Sequence, residues 1–181
     1  MKNIFIIILL LLTGCNSDEL DLSIFNNQQK EILKNILEGN DNIFSTENNL
    51  SISDSYFNHL KKLKKSESPD DVLNNIFLKD NSYCEGLRKS NIFILEKYKT
   101  FKSERESTIY TLNYKSNYLD FLERISKNNE VILKYYNSII SSGGISPESN
   151  AIILHYLTKE DLKNENIRLI VGIHFLLINN S

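Results

Sequence analysis

Ile167-Arg168-Leu169-Ile170-Val171-Gly172-Ile173-His174-Phe175-Leu176-Leu177-Ile178 is apolar on nearly every side. A surface helix carries one apolar stripe, whereas a helix that is apolar all round must be covered all round. The stretch therefore reads as the middle helix of a bundle, and Gly172 would let a neighbouring helix approach closely. Its β-branched residues keep a strand reading open, but no convincing partner strand stands elsewhere in the sequence.

Working outward from this helix, Thr158-Lys159-Glu160-Asp161 can cap its start. Ser146-Pro147-Glu148 has a capping serine, a proline suited to the first helical position and an acid for the dipole, and Ile152, Ile153, Tyr156 and Leu157 follow. Val131, Ile132, Tyr135, Tyr136, Ile139 and Ile140 form an amphipathic helix stopped by Gly143-Gly144. Residues 103–125 read as one long helix, with Leu112, Leu119, Leu122 and Ile125 apolar and Tyr110, Tyr114 and Tyr118 at i, i+4 and i+8. Residues 83–101 read as another, using Leu87, Ile94, Leu95 and Tyr98. Ser68-Pro69-Asp70-Asp71 predicts a further helix start, burying Val72, Leu73, Ile76 and Phe77. Residues 52–64 form a helix capped by Ser51 or Ser53. The first helix begins near Ile24 and stops at Gly39, and a polar loop follows over 40–50. Few turn dipeptides and almost no strict alternation remain. The expectation is an all-α domain over 24–181, a single helical bundle or short α-superhelix of about seven helices.

The other end of the chain has a different character. Lys2 precedes the unbroken apolar run Ile4-Phe5-Ile6-Ile7-Ile8-Leu9-Leu10-Leu11-Leu12, and small residues Thr13 and Gly14 come next. This is the layout of a secretory signal, and the run is shorter than the ~20 residues a spanning helix needs. Leu12-Thr13-Gly14-Cys15 resembles the lipobox of bacterial lipoproteins. The resemblance covers the first 15 residues and implies a signal peptide over 1–14, a diacylglycerol on the Cys15 sulfur, and an acylated (palmitate-type) amino group after cleavage. Two or more acyl chains anchor stably where one is marginal. Residues 15–23 read as the lipidated cysteine and its tether. No Asp follows Cys15, which favours the outer membrane. Ser17-Asp18-Glu19 also looks like the acidic export tag of surface-exposed lipoproteins in one group of Gram-negative bacteria, or else a solvated acidic tether, so the periplasmic and surface faces both stay open.

Charge and cysteine usage narrow the class. The formal net charge is −2 over 181 residues, and loss of Lys2 with the signal makes it one unit more negative. Such a balance implies no nucleic-acid partner. With Cys15 lipidated, Cys84 is the remaining thiol. It reads as a small buried apolar residue, against a reactive or bridging one.

Candidate chemistry is sparse. His59, His155 and His174 form no metal-binding pair at helical spacing, and no metal or cofactor is expected. His59 and His155 are expected on helix surfaces and His174 against the core with a hydrogen-bond partner. Glu104 and Glu106, and Glu160 and Asp161, are spaced so that they do not face each other on a helix and suit its positive end instead. Lys61, Lys62, Lys64 and Lys65 cluster at a helix C-terminus, where the dipole accounts for them, though they also suit an acidic partner. Tyr110, Tyr114 and Tyr118 are either a core-facing stripe or an exposed recognition face. The expected function is a lipid-anchored, non-catalytic protein-binding domain of the bacterial envelope, of the immunity or inhibitor type against a toxin. The alternatives are a pilotin-like assembly factor and an envelope hydrolase using His155 and His174.

Overall fold

The computed structural model describes residues 18–45, 50–66, 81–99 and 106–179. The fold is mostly helical, with seven α-helices and one two-stranded hairpin among these residues. In chain order they are α1 (Asn27–Ser45), α2 (Ile52–Lys65), α3 (Asn81–Lys89), β1 (Phe93–Lys99), β2 (Glu106–Leu112), α4 (Asn117–Ser126), α5 (Glu130–Ser142), α6 (Pro147–Tyr156) and α7 (Glu165–Asn179). A short 3-10 turn, Asp161–Lys163, leads into α7.

The middle helix is where the apolar run requires it. Every residue of α7 from Asn166 to Leu177 is buried. It packs on α1, on β2 and on the 3-10 turn. A Cβ at Gly172 would fall inside the van der Waals envelope of the buried Asn40 side-chain amide on α1, so a larger residue there would force that amide to shift. Around this pair, α4 packs on α5, α5 on α6, and α2 on α1 and α6.

The expected caps are in place. Ser51 accepts from the Asp54 amide to start α2. Ser146 and Ser149 cap each other reciprocally at α6, with Pro147 in the first helical position. Gly143 ends α5 with φ +73°. The box of Thr158 and Asp161 also forms, but it caps the 3-10 turn rather than α7 itself.

Two expectations are corrected. First, α1 does not stop at Gly39 but runs on to Ser45. A glycine inside a helix costs ~1 kcal/mol, and the next turn offsets it by burying Asn40 and Phe44, the latter against Tyr56 and His59. Second, the helices expected over 83–101 and 103–125 are each interrupted by a strand. The helix α3 ends at Lys89 in a Schellman closure, with Asn91 at φ +60°, its amide on the Arg88 carbonyl and the Ile92 amide on the Leu87 carbonyl. The chain then turns into β1, which pairs antiparallel with β2 in the register Phe93↔Leu112 and Leu95↔Tyr110. Phe93, Ile94, Ile109, Tyr110 and Thr111 are β-branched or aromatic residues that fit a pleated surface. Asn113 fastens the base of the hairpin through its amide on the Asn91 carbonyl and side-chain oxygen, and α4 starts only after Ser116.

Residues 18–23, read from the sequence as tether, lie against the fold. The Asp18 carbonyl accepts from the Glu165 amide at 2.9 Å. Leu20 N–H donates to Glu165 Oε2 at 3.0 Å and Asp21 N–H to Asn166 Oδ1 at 2.8 Å, while Asn166 Nδ2 donates to the Glu19 carbonyl at 2.9 Å. Leu22 and Phe25 are buried in the core. Met1 to Cys15 and the expected helix start at Ser68-Pro69-Asp70-Asp71 lie outside the described residues.

Candidate functional site

Two hollows lie at opposite ends of α7. The larger is a polar cleft of about 650 Å³ at the helix start, lined by Asp18, Asp21, Arg124, Asn129, Asp161 and Asn166 among others. The smaller is a groove of about 210 Å³ at the helix end. Its walls are β2 from Ile109 to Leu112, Tyr114, the Gly143-Gly144 turn with Ile145, and Leu177 and Ile178.

The cleft is built from groups that already bond each other. Arg124 reaches Asp21 at 2.9 Å and also donates to the Ser23 hydroxyl and the Asp21 carbonyl. Although partial burial pushes the Asp21 carboxyl up, its hydrogen bonds to Ser23 and the Arg124 guanidinium outweigh that and hold it below the usual carboxylate range. Asn129 caps α5 through its Oδ1 and donates from Nδ2 to Asp161 Oδ1 at 2.6 Å. Asp161 also takes the Thr158 hydroxyl and amide on its other oxygen. Glu160 pairs with Lys163 at 2.7 Å. The acidic pair singled out in the sequence thus spends both its members on local structure. Of the other pair, Glu106 opens β2 and Glu104 lies outside the described residues.

The groove is less self-satisfied. Tyr114 in its wall is 40% exposed, and Glu96 of β1 completes the lining. Its strand β2 belongs to a two-stranded sheet, so the edge away from β1 carries no ladder partner among the described residues. Burial raises the Tyr114 hydroxyl pKa, and the Glu96 carboxylate adds to it.

The tyrosine stripe is corrected. Tyr110, Tyr114 and Tyr118 share no helix face, because they stand on a strand, in a turn and on a helix. Tyr110 donates its hydroxyl to Glu85 at 2.6 Å, and that bond, with burial, pushes its pKa up to about 12. Tyr118 is inside the core, stacked on Phe121. Of the three, only Tyr114 is substantially exposed. Lys61, Lys62, Lys64 and Lys65 are all exposed on the last turns of α2, and Lys61 lies 4.2 Å over the Phe57 ring.

The histidines are scattered. His59, expected on a surface, is buried with its ring 4.8 Å from Phe44. His155 is exposed near the end of α6. His174 is fully buried, with Nδ1 at 3.2 Å from the Tyr135 hydroxyl and Nε2 at 3.2 Å from Asn150 Oδ1. Asn150 Oδ1 only accepts, so Nε2 carries the proton and Nδ1 accepts from Tyr135. Burial lowers the His174 pKa to about 3, which keeps the ring neutral. Both its nitrogens are thus committed to neutral partners, and His155 is not one of them. Cys84 is fully buried on α3. No group of three His, Cys, Asp or Glu side chains able to hold a metal occurs among the described residues, and no helix among them is long and apolar enough to cross a membrane.

One cluster was not singled out by sequence reasoning. Arg168 on α7 grips Asp41 of α1 with Nε and Nη2, each at 3.1 Å, and donates from Nη1 to the Leu162 and Lys163 carbonyls. Tyr56 of α2 donates to the same Asp41 at 2.9 Å. The available signal was Arg168 itself, a lone charge in an apolar run, which burial obliges to find a counter-charge. No family model, curated protein or solved structure matches this chain.

Proposed function

We propose that this chain is a lipid-anchored, non-catalytic protein-binding domain of the bacterial envelope, and that it acts as an immunity or inhibitor-type lipoprotein that occludes a toxin. The observation that carries the reading is Leu12-Thr13-Gly14-Cys15 placed directly after a short apolar run. The anchor favours the outer membrane, on its periplasmic or its surface side. A stoichiometric inhibitor needs only a complementary surface, and the groove lined by Tyr114, Ile109, Ile178 and Glu96 offers a small apolar-and-polar one. The lysine cluster on α2 is a second surface, suited to an acidic partner. The pilotin-like reading draws on one feature, the open edge of β2, which suits an extended segment of a client protein. Nothing brings His155 and His174 together, so the hydrolase reading has no geometric support.

The test is survival in mixed culture. Cells lacking the chain are expected to be killed by toxin-releasing siblings, to be rescued by the wild-type chain, and not to be rescued by Cys15→Ala. Equal survival with and without the chain would remove the immunity reading. Radiolabelled palmitate appearing on Cys15→Ala as on wild type would remove the anchor.

A further inference from the structure

The attachment of residues 18–23 to the start of α7 limits how far that end can stand from Cys15. Cys15 lies three residues before Asp18 in the chain, and three residues span at most about 11 Å. Asp18 is itself held, through its carbonyl on the Glu165 amide, at the first residue of α7. The hold does not stop there. Glu19 and Asp21 bond Asn166, Leu20 bonds Glu165, and Arg124 of α4 clasps Asp21 and Ser23. Asn117, also on α4, donates to the Ile24 carbonyl. A lipid on Cys15 would therefore be within about 11 Å of chain from a firmly held element.

We infer that the α7 N-terminal end, with its polar cleft, is seated on the headgroup layer of the bilayer that holds the acyl chains, and that the groove end points away from it. The inference rests on the Cys15 anchor proposed above. The helices α5 and α7 both run from the cleft to the groove: Asn129 and Ile167 line the first, Gly143 and Leu177 the second. At 1.5 Å per residue the two ends are about 15–20 Å apart along α7. The chemistry of the cleft end fits a layer of zwitterionic phosphoethanolamine headgroups. Its lining is mostly polar, as a hydrated headgroup layer requires, and the exposed Asp18 carboxylate suits the ammonium. A partner arriving from the aqueous side then meets the hairpin, Tyr114 and the Gly143-Gly144 turn first.

The experiment uses the purified, lipidated full chain in phosphatidylethanolamine-rich vesicles that contain an interface-located lipid quencher. A fluorophore is placed on Asn128→Cys at the cleft, or on Ser141→Cys beside the groove, since both positions are exposed and the buried Cys84 is shielded from label. The expected result is severalfold stronger quenching at position 128 than at 141. Inserting about a dozen Gly/Ser residues between Ser17 and Asp18 adds roughly 20 Å of flexible reach and is expected to abolish the difference. Equal quenching of the two labels in protein that floats with the vesicles would overturn the orientation while leaving the anchor intact. Protein that does not float would overturn both. Urea midpoints of the labelled variants, unchanged from wild type, establish that the readings come from folded protein.

Discussion

The two ends of α7 are held by different physics. At the start, Glu165, Asn166 and Arg168 make directed bonds both to partners far away in sequence, the segment before α1 and Asp41 within α1, and to the carbonyls of the turn just before the helix. At the finish, Leu177 is buried in the apolar core, and the groove beside it is walled by side chains in part open to solvent. Directed bonds fix position and register but leave little free to meet a ligand. Apolar contact tolerates rearrangement, and an open strand edge leaves capacity unspent. The first end is thus suited to hold the domain in place and the second to meet something else.

Removing Arg168 should break the first end hardest. Arg168→Ala leaves the Asp41 carboxylate with the Tyr56 hydroxyl as its one remaining partner among the described residues, and takes the donor from two carbonyls. Breaking a buried pair from one side costs ~3–5 kcal/mol, readable as a lower urea midpoint. A cost below about 1 kcal/mol would mean the pair is no tighter than an exposed one and would erase the contrast between the ends. Next comes the seam between them. Gly172→Ala pushes a methyl into the Asn40 amide, and such overpacking costs ~1–3 kcal/mol. A neutral outcome would show that the Asn40 amide can move aside at no cost.

On another side of α7, where it meets α5 and α6, His174 gives the fold a pH dependence with a definite sign. Its pKa is lowered from 6.5 to about 3 in the fold, so below pH 6.5 the unfolded chain binds a proton that the folded chain refuses. The contribution is fully present above pH 6.5 and is lost as pH falls from there toward about 3, at no more than ~1.4 kcal/mol per pH unit. The unfolding free energy of the wild type should decline across that window, and His174→Asn should flatten the decline. An identical slope in both would mean His174 is protonated in the fold.

Legibility in the sequence follows the range of the signal. The caps at Ser51, Ser146 and Gly143 are local chemistry, and they stand where local reading puts them. The burial of α7 and the close approach at Gly172 follow from a run with no polar side. The hairpin was hidden by arithmetic. A spacing of four satisfies the helical period and is also a multiple of the strand period of two, so Tyr110, Tyr114 and Tyr118 fit both templates. Only the cluster of β-branched residues around Tyr110 and the left-handed Asn91 favour the strands. The Asp41–Arg168 pair joins residues 127 apart, and nothing in either neighbourhood names the other. The groove was half-legible: Tyr114 stood out as an aromatic candidate, but its neighbours arrive from β2, from the Gly143-Gly144 turn and from α7.

Tyr114→Ala is the smallest expected change in stability and the sharpest test of the division between the ends. The side chain is 40% exposed, and its hydroxyl lies against Gly144, 3.4 Å from where a Cβ would stand. Truncation removes one wall of the groove and little of the core, so the urea midpoint should correspond to a change within about 0.5 kcal/mol. If the groove is the working surface, the same variant should lose protection in mixed culture while remaining lipidated at Cys15 and folded. A loss of stability as large as that of Gly172→Ala would make Tyr114 a packing residue. The groove would then be held as firmly as the cleft, and the partner would have to be sought elsewhere, first at the exposed lysines of α2.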